Sequence, residues 1–423
     1  MGKIKQLIVS ILKKLGEYLK TDMVYVAKGS FWSILSQTVL AASAFLMAIA
    51  FAHFVSKEAY GQYKYILSIA GVLKTFTLTG IGVAVIQSVS RGFEGTMHYA
   101  FWQNIKWSAL FFLLSTGSAV YYFANGNSSL GISLLIIGCL WPFLASTNLY
   151  NAYLSAKRDF RRLSIYFDII GNLFPYACVF ATMLITSNPV WLVTAFIVSN
   201  TLIGVILYWR IVSIYKPNKQ VDRKIMSYSK HLSLIGILSG LLENIDQILI
   251  FHYIGPAQLA IYNFATAIPN QIKGPIANLG NLIFPKFAIS KDSDIRAGMK
   301  NKMMLLFIGG VIIIGAYIIA APYIFHAFFP KYTDSIFYSQ IFSISLLFIV
   351  SIPSDTYLTA KKKIKEQYIG SILGYIIKIT LLFVGIYWWG LLGLVIARVI
   401  TRFSGTIMSI ILFNKASKNQ LNT

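Results

Sequence analysis

Long apolar stretches separated by short polar segments recur from residue 31 to the end of the 423-residue chain. Each is close to the ~20 residues that an α-helix needs to cross the ~30 Å hydrocarbon core of a bilayer, and too long for a barrel strand. The pattern predicts an all-α polytopic membrane protein with twelve spans. They lie at roughly 31–55, 60–88, 104–124, 130–155, 163–186, 190–215, 228–254, 257–285, 303–325, 336–360, 367–389 and 390–413.

The distribution of charge supports the same interpretation. Although 57% of the residues are hydrophobic and 12% are charged, the net charge is +23, which could indicate a nucleic-acid partner. However, 29 of the 37 Lys and Arg fall on one predicted side of the membrane, whereas Lys57 and Lys331 fall on the other and six lie within spans. The positive-inside rule then places both termini in the cytoplasm. The lipid bilayer, including anionic head groups, is the expected partner of this charge, and no nucleic acid is expected.

The N-terminal segment differs from the spans, because six apolar residues repeat at helical spacing opposite four lysines. They are Ile4, Leu7, Ile8, Ile11, Leu12 and Leu15, opposite Lys3, Lys5, Lys13 and Lys14. This pattern predicts an amphipathic helix at the membrane surface, with a solubilising tail as the alternative. The predicted organisation is a cytoplasmic amphipathic segment (1–28), an N-terminal six-helix bundle (29–215), a cytoplasmic linker (216–227), a C-terminal six-helix bundle (228–413) and a cytoplasmic tail (414–423).

An internal repeat relates the two halves of the chain. The segments "FAHFVSKEAYGQY" (51–63) and "IFHYIGPAQLAIY" (250–262) align without a gap at an offset of 199 residues. At the same offset, Lys74 of the second span matches Lys273 of the eighth. Because six spans separate the copies, both halves cross the membrane in the same direction. Such parallel repeats predict two bundles around a central cavity that work by alternating access.

Lys74 and Lys273 are predicted to lie deep in the bilayer. If Tyr63 and Tyr262 mark the membrane surface, eleven residues at ~1.5 Å each place both lysines ~16 Å deep, near the midplane. A charge there is costly unless it faces water or a partner, so we predict two cationic arms that bind an anionic substrate. The alternative is that each lysine pairs with an acid of its own bundle.

Two prolines in "IPNQIKGPIANLG" (268–280) predict a broken eighth helix. Pro269 and Pro275 each remove a backbone donor, and Gly274 and Gly280 loosen the helix further. Carbonyl groups near Lys273 are therefore expected to be freed from the helical ladder. Broken helices mark the substrate sites of many transporters, and they also occur in membrane helices without a direct function.

Other charges within the spans extend the candidate site. Glu243 and Asp246 are three residues apart on the seventh helix and so share a face. They are expected to pair with Lys273, to carry a coupling proton or sodium ion, or to be structural. Lys378 and Arg398 lie deep in the second bundle, and with Lys74 and Lys273 they form the predicted substrate-binding set.

Three further charges are assigned to positions near the cytoplasmic surface. Arg402 shares a face with Arg398 but is expected to approach the head groups as an anchor. Asp168 and Asp355 are expected to neutralise neighbouring bases at the cytoplasmic ends of their helices.

The sequence does not indicate an enzyme. It has no phosphate-binding loop of the Walker type, no paired catalytic carboxylates in a long soluble loop and no His/Asp/Glu cluster with metal-ligand spacing. The predicted loops are too short to hold a catalytic domain. We therefore expect a transporter without a cofactor or a metal, for which a proton or a sodium ion is the expected coupling ion.

Three segments carry a resemblance to a known family: "NIDQILIFHYIGPAQLAIYNFATAI" (244–268), "HFVSKEAYGQYKYILSI" (53–69) and "NLYNAYLSAKRDFRRLSIY" (148–166). Together with twelve spans in two bundles, they resemble the Wzx-type O-antigen and polysaccharide flippases of the multidrug/oligosaccharidyl-lipid/polysaccharide (MOP) exporter superfamily. The resemblance implies a V-shaped pair of bundles. It also implies a bacterial inner-membrane protein that moves undecaprenyl-diphosphate-linked oligosaccharide to the periplasmic leaflet. A polysaccharide polymerase and a chain-length regulator are further implied partners.

The resemblance can be compared with the candidate site residues, and it leaves three alternative functions. Related lipid-linked precursor flippases have basic residues on helices 2 and 8, which Lys74 and Lys273 match, whereas charged residues of helix 1 are replaced here by Ser36, Gln37 and Thr38. The alternatives are a multidrug antiporter of the same fold, which should favour an acidic cavity, and a lipid II flippase, which resembles this chain with two additional helices. A non-transporting scaffold is the third.

Overall fold

A computed structural model describes residues 23–277 and 279–418, and within these ranges the chain is helical and contains no strand. The amphipathic helix predicted for residues 4–15 lies outside the described residues. The first six helices are α1 (Met23–Phe54), α2 (Lys57–Phe76 and Ile81–Ser90), α3 (Thr96–Ala124), α4 (Ser128–Ala156), α5 (Phe160–Ile185) and α6 (Pro189–Tyr215). The last six are α7 (Ile225–Tyr253), α8 (Pro256–Ala277 and Leu279–Ile289), α9 (Asp292–Phe328), α10 (Ser335–Ala360), α11 (364–389) and α12 (391–418).

These helices confirm the twelve predicted spans. Among the described residues, nine helices are each long and apolar enough to cross a membrane, and the two pieces of α2, bent by 55°, together form a tenth span. The longest of the nine contains two spans, α11 and α12, because it is interrupted at Gly390, whose backbone is not helical. Helix α8, described on both sides of residue 278, is the twelfth helix and is not among the nine.

Glycines allow the tight turn between α11 and α12. Gly390 has a φ of 55° and a ψ of −129°, a conformation that residues with a Cβ rarely adopt. Gly385 and Gly393 lie on either side of the turn in contact with each other, and a Cβ on Gly393 would be 2.0 Å from the carbonyl oxygen of Gly385. The two helices therefore approach backbone to backbone directly beside the turn.

The helix boundaries follow the repeat that the sequence indicates. Helix α1 ends at Phe54 and α7 at Tyr253, and α2 begins at Lys57 and α8 at Pro256. The second pieces of α2 and α8 end at residues 90 and 289. All three pairs differ by 199 residues, so the offset found in the sequence continues through two consecutive helices of each half.

The helices form two compact units. The first combines Ala70–Gly240 with the chain up to Ala50, and the second combines Phe51–Ile69 with the chain from Leu241 onward. The limits of the units fall within α1, α2 and α7 rather than in a loop. The division of the chain into bundles at the linker 216–227 stays a prediction.

Each unit has its own core. In the first, Val85 of α2, Met97 of α3, Tyr153 of α4 and Ile211 of α6 are fully buried in one cluster. In the linker, Asp222 is bound to this unit, because its carboxylate lies 3.0 Å from a guanidinium nitrogen of Arg91.

The core of the second unit lies where the second piece of α8 meets α9, α10 and α12. Phe287, Met299, Tyr357 and Phe413 are buried there together. Burial of large apolar side chains against each other fixes the angles at which these four helices pack.

Candidate substrate site

A buried carboxylate lies at the centre of the candidate site in the second unit. Asp246 of α7 is 2% exposed, and Nε of Arg398 on α12 lies 3.3 Å from its Oδ2 atom. The hydroxyl of Tyr262 on α8 donates a hydrogen bond to the same carboxylate oxygen. Because a buried charge is costly unless it is paired and hydrogen-bonded, these three side chains stabilise one another across α7, α8 and α12. Asp246 thus pairs with Arg398 and not with Lys273.

Arg402 lies one turn beyond Arg398 on α12 and has no carboxylate partner among the residues that the structure describes. Its Nη1 atom donates to Oγ of Ser345 at 2.7 Å, and its Nη2 atom donates to Oδ1 of Asn270 at 2.8 Å. The guanidinium carbon also lies 4.6 Å from the ring centroid of Phe342. The structure therefore holds a cation between three helices with neutral groups alone.

This position contradicts the assignment of Arg402 as a head-group anchor. Helix α12 continues for about 24 Å beyond Arg402 at ~1.5 Å per residue, so the side chain lies in the middle of the helix and not at its end. The side chain packs inward against α8 and α10, where Asn270 and Ser345 accept its hydrogen bonds.

Lys273 and Lys378 supply two further positive charges to the same unit. The ammonium group of half-buried Lys273 lies 5.3 Å from the ring centroid of Phe348, and it makes no ion pair within the described ranges. On α11, Nζ of Lys378 donates to the backbone carbonyl of Leu242 on α7. Both lysines are within electrostatic reach of Glu243, whose side chain is exposed.

The candidate site in the second unit contains more positive than negative charge. The site contains four cations and two carboxylates, which leaves an excess of two positive charges when all six groups are ionised. The members are Lys273, Lys378, Arg398 and Arg402, with Glu243 and Asp246, and we call them the cationic cluster. This excess is what an anionic ligand would neutralise.

One expectation about α8, a break at its prolines, is wrong. The helix continues through both Pro269 and Pro275 as far as Ala277, and it is described again from Leu279. Tyr262, which the sequence analysis used to mark the membrane surface, is 3% exposed and packed inside the protein. The depth of Lys273 in the bilayer stays a prediction.

Lys74 belongs to the first unit and lies where α2 bends. The α-helix ends at Leu73, and Lys74–Phe76 form one 3₁₀ turn. Thr77 closes the turn, because both its hydroxyl and its amide N–H donate to the carbonyl of Lys74, at 2.7 and 3.1 Å. The Lys74 side chain is half-buried and has no ion-pair partner among the described residues. That Lys74 and Lys273 bind one substrate together stays a prediction.

Asp168 and Asp355 are bonded to serines and not to the bases that the sequence suggested. In α5, Asp168 lies in a π-helical segment and accepts a hydrogen bond of 2.7 Å from Ser36 of α1. In α10, Asp355 accepts from Ser409 of α12 and from Ser351, at 2.5 and 2.8 Å. No basic residue pairs with either aspartate in the part of the chain that the structure describes, because buried hydroxyl groups provide the hydrogen bonds instead.

The sequence analysis missed Arg402, Tyr262 and Asn270 as parts of the site. Helical spacing could have identified two of them, Arg402 and Asn270. Arg402 is four residues from Arg398, and Asn270 is three residues from Lys273, so each shares a helical face with a residue already selected. No local signal identifies the hydrogen bond between Tyr262 and Asp246, since it joins two different helices.

The fold is similar to that of solved transporter structures. One is described as the inward-facing conformation of a multidrug resistance MATE family transporter of the MOP superfamily. It has a TM-score of 0.69 at 13% identity and covers 92% of this chain and 96% of its own. Another is a MOP superfamily transporter from Pyrococcus furiosus, whose description reports reverse polarity of the binding pocket. It has a TM-score of 0.61 at 12% identity and covers 93% and 95%. The chain therefore shares its fold with these two transporters.

The family follows from the sequence. A family model described as polysaccharide biosynthesis protein matches residues 26–291, which is more than half of the chain. The protein belongs to this polysaccharide biosynthesis family. No curated protein matches the chain. The family model confirms the resemblance to a polysaccharide family, and the fold agrees with a multi-pass membrane protein.

Proposed function

We propose that the protein is a flippase for a polyprenyl-diphosphate-linked oligosaccharide, the repeat unit of O-antigen or a related surface polysaccharide. It would move this lipid from the cytoplasmic to the periplasmic leaflet of the bacterial inner membrane by alternating access. The observation that carries the proposal is the excess positive charge of the cationic cluster. A diphosphate carries about two negative charges near neutral pH and would balance that excess.

Among the cations without a carboxylate partner, Arg402 and Lys273 are the best ligands for the diphosphate. The guanidinium of Arg402 donates to the neutral groups of Ser345 and Asn270, and an Arg fork matches the geometry of phosphoryl oxygens. Lys273 adds a compact charge that can follow the phosphate as it moves. Arg398 is paired with Asp246 and Lys378 donates to the backbone carbonyl of Leu242, so both would act at longer range. Lys74 is a further predicted ligand.

Asp246 is the candidate for ion coupling. Its Oδ1 atom is buried and has no hydrogen-bond partner among the described residues, whereas Oδ2 accepts a hydrogen bond from Tyr262 and lies 3.3 Å from Nε of Arg398. A proton or a sodium ion on this carboxylate would release the charge of Arg398, and the cluster would then bind a diphosphate more tightly. Because binding free energies are coupled reciprocally, the diphosphate would also raise the affinity of the site for the ion. Glu243, which is exposed, is the second carboxylate that could take part.

The topology and the partners complete the proposal. The charge distribution supports cytoplasmic termini. A polysaccharide polymerase and a chain-length regulator would act on the exported product.

The multidrug antiporter is the rival that shares this fold. An exporter of organic cations needs an acidic site, whereas this cluster has twice as many cations as carboxylates. A lipid II flippase, which resembles this chain with two additional helices, is the second rival.

The test of the proposed function uses cells that lack the chromosomal gene and express the protein from a plasmid. We expect Lys273→Ala and Arg402→Ala each to lower surface polysaccharide by about 10- to 100-fold at unchanged protein level, since a charge-assisted hydrogen bond contributes ~1.5–3 kcal/mol. The matched control, Lys291→Ala, removes an exposed charge outside the cluster. Wild-type polysaccharide from the double variant would overturn the proposal.

A further inference from the structure

A groove of about 550 Å³ lies between α9, α10 and α12 of the second unit and includes no residue of the cationic cluster. Its lining changes character along its length. One end is polar and is formed by Arg296, Lys300 and Asn414. The remainder is apolar and is formed mainly by Met303, Met304, Phe307, Val350 and Ile410.

The polar end of the groove is positively charged. Arg296 and Lys300 are four residues apart on α9 and so project from the same face. No carboxylate lines the groove, and neither cation has an ion-pair partner among the described residues. Asp292, one turn before Arg296, has its carboxylate 3.1 Å from Nζ of Lys361 and accepts a hydrogen bond from Tyr357. The acid one turn away on the same helix face is therefore directed to other partners.

The apolar part matches an acyl chain in length and in chemistry. From Arg296 to Phe307, α9 rises by about 16 Å, which is close to half of the ~30 Å hydrocarbon thickness and so to the depth of one leaflet. Met303 and Met304 add flexible thioether side chains, which adapt to an irregular apolar ligand. A cationic end that leads into an apolar channel one leaflet deep has the amphipathic profile of a phospholipid.

We infer that this groove binds one anionic phospholipid of the surrounding bilayer. Its phosphate group would lie between Arg296 and Lys300, and one acyl chain would lie along Met303 and Phe307. Basic pockets between helices near the membrane surface are suited to such head groups, because each Lys or Arg contributes about 1 kcal/mol of attraction to anionic lipid. The polyprenyl chain of the cargo does not fit, since it is much longer than the groove.

The test measures phospholipid retention by the purified full-length protein in detergent, by native mass spectrometry. Dioleoylphosphatidylglycerol is the anionic probe, and dioleoylphosphatidylcholine, with the same chains, is the zwitterionic comparison. We expect the wild type to prefer the anionic lipid and the double variant Arg296→Gln/Lys300→Gln to lose roughly 30-fold in affinity for it, which corresponds to ~1 kcal/mol per cation. A matched variant, Lys291→Gln/Lys365→Gln, removes two exposed charges outside the groove and is expected to behave as the wild type.

A second variant separates the acyl chain from the head group. Val350→Phe fills the groove and leaves both cations in place, and it should lower retention of the anionic lipid by about tenfold. Melting temperatures measured without added lipid verify that each variant is folded. Equal binding of the two probes by the wild type, or equal losses in the groove variant and the matched variant, would overturn the inference. Displacement of the anionic lipid by undecaprenyl phosphate at equimolar concentration would also overturn it, because the groove would then hold the cargo lipid.

Discussion

Asp246 and Arg398 form a buried ion pair between α7 and α12, with Nε of the arginine 3.3 Å from Oδ2 of the aspartate. The aspartate side chain is 3% exposed and the arginine side chain 21%. One turn further along α12, Arg402 is held by a serine and an asparagine instead. Two arginines on one helical face thus have different environments, one neutralised by the protein and one available for an anion.

The ion pair predicts a specific pattern of stability. Asp246→Ala leaves Arg398 buried and unpaired, so we expect the free energy of unfolding to fall by ~3–5 kcal/mol. The double variant Asp246→Leu/Arg398→Met removes both charges and should recover most of that loss. Thermal denaturation in detergent measures both effects. If the double variant is as unstable as the single one, the pair is not the source of the stability.

The environment of Arg402 predicts the effect of an added carboxylate. In Asn270→Asp, the new acid would lie where the Oδ1 atom of Asn270 now accepts from Arg402 at 2.8 Å. The substitution should keep or raise stability while it lowers export by about tenfold or more, because the cluster loses part of its excess charge. Asn270→Ser, which stays neutral, serves as the control and should retain most of the export. Normal export by the aspartate variant would show that the free charge of Arg402 is not needed.

A close backbone contact predicts a packing defect in the second unit. A Cβ on Gly61 of α2 would lie 1.9 Å from the carbonyl oxygen of Pro256 at the start of α8. Gly61→Ala must therefore separate the two helices, and we expect a loss of ~1–3 kcal/mol in the free energy of unfolding. Gly309→Ala is the matched control, since a Cβ there meets nothing within 4 Å. Equal melting temperatures of the two variants would contradict the predicted contact.

A loop carboxylate predicts how stability depends on pH. Partial burial raises the pKa of Glu94, but hydrogen bonds from Lys157 and from the hydroxyl of Tyr153 lower it, and the net result is a pKa below the ordinary value. A lowered pKa in the folded state stabilises the protein above the unfolded pKa of ~4.3, and this contribution is lost as the pH falls through the folded pKa.

Glu94→Gln should therefore lower the melting temperature at pH 7 and reduce its dependence on pH between about 5 and 3. Glu58→Gln removes an exposed acid and provides the control. A melting temperature at pH 7 that is equal in both variants would refute the stabilising role of Glu94.

The sequence predicts where the helices lie better than it predicts which side chains contact each other between helices. Periodicity, length and the 199-residue offset are local or repeated signals, and they led to the twelve spans and to Lys273. The partner of Asp246 depends on how α7, α8 and α12 pack, which no local pattern encodes. The sequence therefore left Asp246 with Lys273 as a candidate partner, and it placed Tyr262 at a membrane surface although the side chain is buried.

Helix α8 is a second case in which a local sequence signal did not predict the structure. Pro269 and Pro275 were expected to break the helix because each lacks a backbone donor. Both prolines lie within the helix Pro256–Ala277, as membrane helices tolerate proline when neighbouring groups satisfy the freed carbonyls. Propensity alone cannot supply that information, because it depends on the surrounding helices.

The central claim is that the cationic cluster binds a lipid diphosphate, and direct binding tests it best. Purified wild-type protein and the double variant Lys273→Ala/Arg402→Ala would be titrated with undecaprenyl diphosphate, undecaprenyl monophosphate and the organic cation ethidium. The account predicts that the wild type binds the diphosphate at least tenfold more tightly than the monophosphate. The double variant should lose this preference. Ethidium should bind neither protein. Equal affinity of the wild type for both phosphates, or tight binding of ethidium, would contradict it.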